Sequence, residues 1–120
     1  MIAANATELT VADVAEQSGV AGSAVRFYER QGLIDATRTA GNQRRFTADA
    51  PCRIKVARVA QRVGLTIREI RDILDDLGET PSIDDWARLH RSLVLEAQRR
   101  IAELDDALAE LGSGRKLCEL

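Results

Sequence analysis

The chain is short of the residues on which several large classes of protein depend. Its 120 residues include two cysteines, two prolines, one histidine and four aromatics, Phe27, Tyr28, Phe46 and Trp86. Cys52 and Cys118 are too few for a disulfide framework, which points to a reduced compartment. The one histidine, His90, has no cysteines and carboxylates clustered with it as metal ligands or as a nucleophile and base. An enzyme is therefore not expected, nor is a metal or a cofactor. At 3% aromatic, the composition disfavours a β-sandwich. No apolar run approaches the roughly 20 residues of a membrane span, so no membrane partner is expected. The first eight residues lack the charged and apolar regions of a signal peptide and read as a flexible tail. These absences leave a cytoplasmic, mostly α-helical protein.

Apolar residues make up 45% of the chain and charged residues 30%, as in a globular domain. The net charge of -2 hides a split. Within 38–62, Arg38, Arg44, Arg45, Arg53, Lys55, Arg58 and Arg62 face Asp49 alone. A local excess of about six positive charges is the footprint of a phosphate-binding face. The segment after residue 78 is acidic on balance.

Local signals divide 9–78 into short elements. Thr10 with Asp13 three positions on reads as a capping box, Val11, Val14 and Ala15 form a helical face, and Gly19 ends the helix. A second helix is predicted from about Gly22 to Gln31. It turns Val25 and one of Phe27 and Tyr28 inward, with Phe27 the expected core member. Helix, glycine turn and helix within so short a span is helix-turn-helix spacing. Gly41-Asn42 predicts a hairpin turn and hence a two-stranded wing. Thr47 is the expected N-cap of a third helix, and Thr66 of a fourth that ends at Gly78. From Ser82 one long helix is expected. Along it Ile83, Ala87, His90, Val94, Ala97, Ile101, Leu104, Leu108 and Leu111 alternate steps of four and three. Four such heptads predict a coiled coil, and with nothing else in the chain to cover the stripe, a homodimer. His90 falls on this seam as a packing residue. Trp86, Leu89 and Leu93 form a second edge facing the helical domain. The expected organisation is a tail at 1–8, a winged helix-turn-helix DNA-binding domain at 9–78, a dimerisation helix at 79–112 and a short tail at 113–120.

Thr10-Val11-Ala12-Asp13-Val14-Ala15, Val25-Arg26-Phe27-Tyr28-Glu29, Gln31-Gly32-Leu33-Ile34, Gly41-Asn42-Gln43-Arg44-Arg45-Phe46 and Gly64-Leu65-Thr66-Ile67-Arg68-Glu69-Ile70 together resemble the MerR family of transcription regulators. The wing, with Ile83-Asp84-Asp85-Trp86 and Arg100-Ile101, is similar to the SoxR subgroup. The resemblance implies an antiparallel coiled-coil dimer on promoter DNA between the two promoter elements. It further implies a distorted spacer that lets RNA polymerase engage both, with activation as the expected output. The iron–sulfur cluster of the SoxR type needs four thiolates, and this tail offers one, so that cofactor is not carried over.

The candidate DNA contacts follow from placement. Ser23 lies where a helix N-terminus suits a phosphate, and Arg26 can reach a base edge or a phosphate. The Tyr28 hydroxyl either meets a phosphate or its ring packs inside. In the wing, Arg38, Asn42, Gln43, Arg44 and Arg45 are expected along the DNA backbone, or at least one of Arg44 and Arg45 braces the wing instead. Arg58 and Arg62 sit one turn apart and either reach flanking phosphates or are simply solvated. Two such units predict a roughly palindromic operator on double-stranded DNA. Cys118, beside Arg115 and Lys116, is a candidate redox-reactive thiol or a plain tail cysteine. The competing reading is a helical interaction or architectural module that touches DNA only non-specifically.

Overall fold

The computed structural model describes residues 7–119. The elements run β1 (Thr7–Leu9), α1 (Val11–Ser18), α2 (Gly22–Arg30), β2 (Ala36–Arg38), β3 (Arg44–Thr47), α3 (Ala50–Val63), α4 (Ile67–Asp76) and α5 (Ile83–Leu111). A single 3-10 turn, Leu117–Glu119, follows. The molecule measures 64 × 30 × 20 Å: a small head on a projecting rod.

Three helices begin in the same way. Thr10, Thr66 and Ser82 each accept the backbone N–H of the residue three positions on, and the carboxylates of Asp13, Glu69 and Asp85 accept the N–H of the cap in return. Two otherwise unpaired amide donors are satisfied at each start. Gly19, at φ +74, closes α1 in the left-handed conformation that a side chain disfavours.

The core is a single cluster. Val14 from α1, Val25 and Tyr28 from α2, Phe46 from β3, Ile54 from α3 and Ile70 and Leu74 from α4 pack together, with Leu33 and Ile34 beneath. Leu89 seals it from α5, with Trp86 and Leu93 partly buried beside it, so the predicted second edge of the long helix does face the head.

Three expectations change. The 1–8 tail is cut short: Thr7 and Glu8 belong to β1, which pairs with β3 antiparallel through Leu9↔Phe46, while residues 1–6 lie outside the described residues. The wing is consequently part of a three-stranded sheet ordered β1-β3-β2. The N-cap of α3 is Asp49 and not Thr47, which is still in β3; the Thr47 hydroxyl instead donates to the Asp49 carboxylate. Pro51 in the first turn of α3 has no N–H to lose there, which allows the helix to start this late.

Two predictions follow from this packing. Phe46→Ala should cost roughly 3–5 kcal/mol of unfolding free energy, read from the urea midpoint, because Phe46 is fully enclosed and its strand joins both others. The capping carboxylates are held below their ordinary values of 3.8 for Asp13 and Asp85 and 4.5 for Glu69, first by the backbone N–H each accepts. Depressed carboxylates contribute stability that is complete above those ordinary values and lost as pH falls through the folded ones. The melting temperature of Asp13→Asn/Glu69→Gln/Asp85→Asn should therefore fall less steeply on acidification than that of the parent, and equal slopes would contradict the capping role.

Candidate nucleic-acid interface

Helix α2 is amphipathic, with Val25 and Tyr28 turned into the core. Its opposite face presents Ser23, Arg26 and Arg30 to solvent. Steps of three and four place these three along one side, ready for a groove. Arg30 was not singled out in the sequence, although its spacing from Arg26 carries the signal. Ser23 stands in the first turn, where the cap residue Ala21 makes no side-chain bond, so the amides there have no side-chain acceptor. That is a suitable place for a phosphate oxygen.

Tyr28 corrects the expectation for the aromatic pair. It is 7% exposed, and its hydroxyl donates to Gln61 Oε1 on α3 at 3.0 Å. Phe27 is the less buried of the two and meets the Tyr28 ring edge-on, centroids 5.5 Å apart. Tyr28 is thus a core residue tying α2 to α3, and its O–H is already engaged.

The wing turn is built by its own side chains. Asn42 takes φ +61, a left-handed conformation that asparagine tolerates better than most residues. Arg38 Nη1 donates to the Asn42 carbonyl at 3.1 Å, and Arg45 Nη2 to Gln43 Oε1 at 3.3 Å. Arg44 is committed elsewhere: its Nε donates to Glu29 Oε1 of α2 at 2.5 Å. Of the two adjacent arginines it is Arg44 that braces the wing against α2. Asn42 to Arg45 and Thr10 to Ala12 line one hollow, so the wing stands beside the start of α1. On α3, Arg58 and Arg62 are exposed, with Lys55 on the same side, and among the described residues none of the three makes an ion pair.

The positive segment is therefore less free than its composition suggests. Arg53, never a contact candidate, bonds Asp49 at 2.9 Å and the Leu74 carbonyl at 3.1 Å, pinning α3 to α4. Arg44 and Arg53 are internal struts, whereas Arg38, Arg45, Lys55, Arg58 and Arg62 keep net positive charge at the surface.

Along α5 the stripe predicted to be a seam lies in solvent. Ile83, Val94, Ile101, Leu104, Leu108 and Leu111 are exposed large hydrophobics, His90 is exposed, and Ala87 and Ala97 are half-buried. Cys52 and Cys118 are free and exposed. Beside Cys118 the Arg115 side chain bonds the Glu119 carbonyl. Among the described residues no group of three or more His, Cys, Asp or Glu side chains could hold a metal ion, and no helix is long and apolar enough to cross a membrane. A hollow of about 360 Å³ opens between the start of α3 and the approach to α5, lined by Cys52, Pro81 and Trp86 among others.

A recognition helix with a free cationic face, a braced wing and a flanking basic helix define a winged helix-turn-helix DNA-binding protein. Residues 9–77 match the model of the MerR HTH family regulatory proteins, and 52–113 match the MerR DNA-binding model. The chain belongs to the MerR family and is a transcriptional regulator, not an enzyme. It is 42% identical over 105 residues, 86% of this chain and 68% of the relative, to a SoxR homolog of Chromobacterium violaceum described as an HTH-type transcriptional activator. It is 30% identical to the mercuric resistance operon regulatory protein of Shigella flexneri over 110 residues, 89% of this chain and 76% of that one. Among solved structures, a MerR family regulator from Listeria monocytogenes superposes with TM-score 0.60 at 31% identity, covering 88% of this chain and 81% of the other. The fold also matches HiNmlR, a MerR family regulator lacking the sensor domain and bound to promoter DNA, with TM-score 0.56 at 24% identity, covering 86% and 83%.

The free cations and the engaged hydroxyl predict different behaviour in DNA binding. Arg58→Ala and Arg62→Ala should each reduce the slope of log affinity against log salt by about 0.9, the contribution of one phosphate contact. Tyr28→Phe should leave that slope unchanged while lowering stability by about 1 kcal/mol for one lost hydrogen bond. A shallower slope for Tyr28→Phe would put its hydroxyl on a phosphate after all.

Proposed function

We propose that the protein controls transcription as a homodimer, two copies joined through α5 in an antiparallel coiled coil. The observation that carries this is the solvent-exposed stripe: Ile101 is 59% exposed and Leu104 and Leu108 are each 69% exposed, on a helix whose other edge is already packed. Contiguous apolar surface of this kind marks an interaction site on a soluble protein. The stripe is centred on Ala97, so an antiparallel partner sets Ile83 against Leu111 and Val94 against Ile101. The 29-residue rod is about 43 Å long at ~1.5 Å per residue. Heads at its opposite ends can reach successive major grooves, ~34–36 Å apart on one face of a duplex.

In this reading each α2 enters a major groove of a roughly palindromic promoter operator. Ser23, Arg26 and Arg30 line the groove, Arg38, Asn42, Gln43 and Arg45 follow the backbone, and Arg58 and Arg62 hold flanking phosphates. Smooth bending of such a site costs on the order of 1–6 kcal/mol, which contacts from two rigidly linked heads offset. Bending and untwisting the spacer brings both promoter elements within reach of RNA polymerase. The dimer works in the cytoplasm, where its DNA is, and Cys118 is the accessible thiol through which an oxidant would reach the tail.

The test is a nuclease footprint on the protein's own promoter. A protected tract centred between the two promoter elements, with enhanced cleavage at its middle where the duplex is distorted, is the predicted result. Uniform, salt-labile protection of any duplex would instead identify a non-specific architectural module. Ile101→Asp should yield folded monomers with at least tenfold weaker operator binding; a dimer by light scattering would refute the seam.

A further inference from the structure

The joint between head and rod contains a side chain that DNA binding leaves unused. Arg100, on α5, keeps a quarter of its side chain exposed and lies against the turn joining α3 to α4. Its Nη1 donates to the Gly64 carbonyl at 2.8 Å, and its Nη2 lies 3.3 Å from Glu96 Oε1 and 3.9 Å from Glu69 Oε2. One guanidinium therefore touches the C-terminal end of α3, the first turn of α4 and its own helix. Each partner is itself held. Gly64 ends α3 at φ +106, a backbone conformation that side chains disfavour, and a Cβ there would stand 2.9 Å from the movable end of the Arg100 side chain. Glu69 is locked in the α4 capping box, and Glu96 is one turn back on α5.

Among the described residues the rod also packs on the head's core through the apolar Trp86, Leu89 and Leu93. Apolar contacts are non-directional and by themselves fix an angle poorly. Arg100 adds directional bonds about 16 Å further along the helix than Leu89, at ~1.5 Å per residue. Among the described residues its Nε is buried without a hydrogen-bond partner, which costs stability. The positive charge suits the carbonyl end of α3.

We propose that Arg100 is a positioning residue that sets the angle between head and rod and, through the two-fold axis, the separation of the two heads. This rests on the dimer reading above, and the experiment separates the two. With Cys118 replaced by Ser, the exposed Cys52 is the one thiol of each head, and a nitroxide on it reports the head-to-head distance in the full-length dimer by pulsed dipolar spectroscopy. Arg100 should give a narrow distribution and Arg100→Ala one at least twice as wide, with helical content and dimer mass unchanged. Arg100→Lys keeps one donor for Gly64 but not the planar fork that also meets the carboxylates, so its width should fall between them. A lowered melting temperature with the parent's width in either variant would make Arg100 merely structural and overturn the proposal. Failure of both variants to fold would likewise assign the residue to the fold and not to the angle. Absence of a dipolar signal in the parent would remove the dimer itself, and this proposal with it.

Discussion

The rod cannot be covered by the head that carries it. Helix α5 is amphipathic on two edges: one is sealed into the head by Leu89, with Trp86 and Leu93 alongside, and the other runs apolar from Ile83 to Leu111 in water. Among the described residues only the first edge is covered. In the proposed reading a second copy covers the other edge, because a stripe of regular four-three spacing is matched by a copy of itself. The regulatory reading follows from this constraint, because a lone head on a short operator has neither partner nor lever with which to distort DNA.

Within the head, charge is divided between holding and binding. Arg44 with Glu29 stiffens the wing, and Arg53, bonded to the Leu74 carbonyl, stiffens the α3–α4 pair. Arg26, Arg30, Arg58 and Arg62 remain exposed on the recognition and flanking helices. A rigid head matters because phosphate contacts position a protein only if the elements that make them keep their spacing. The cavity beside Cys52 and the tail thiol Cys118 lie outside this machinery, at the approach to α5 and beyond its end.

Much of this was legible in the chain because the signals are local. The capping pair of Thr10 with Asp13, the cap at Thr66, the closing Gly19 and the four-three spacing of the stripe all act within one or two helical turns. What escaped depends on distant partners. The residues Thr7–Leu9 have no periodicity of their own and become a strand only because β3 offers a free edge. Phe27 and Tyr28 are adjacent on a helix, and the choice of which faces inward is made by Gln61, far along the chain. The division of the basic segment into struts and free cations is likewise set by other elements: the Glu29 carboxylate holds Arg44 and the Leu74 carbonyl holds Arg53. In the sequence Arg44 and Arg45 are indistinguishable; Glu29, fifteen residues away, separates them.

Sedimentation equilibrium of the unmodified chain near neutral pH bears on the central claim most directly. The account predicts a particle of twice the 13.2 kDa chain mass at micromolar concentration. A single species at the mass of one chain, with the α5 stripe left in water, would contradict it.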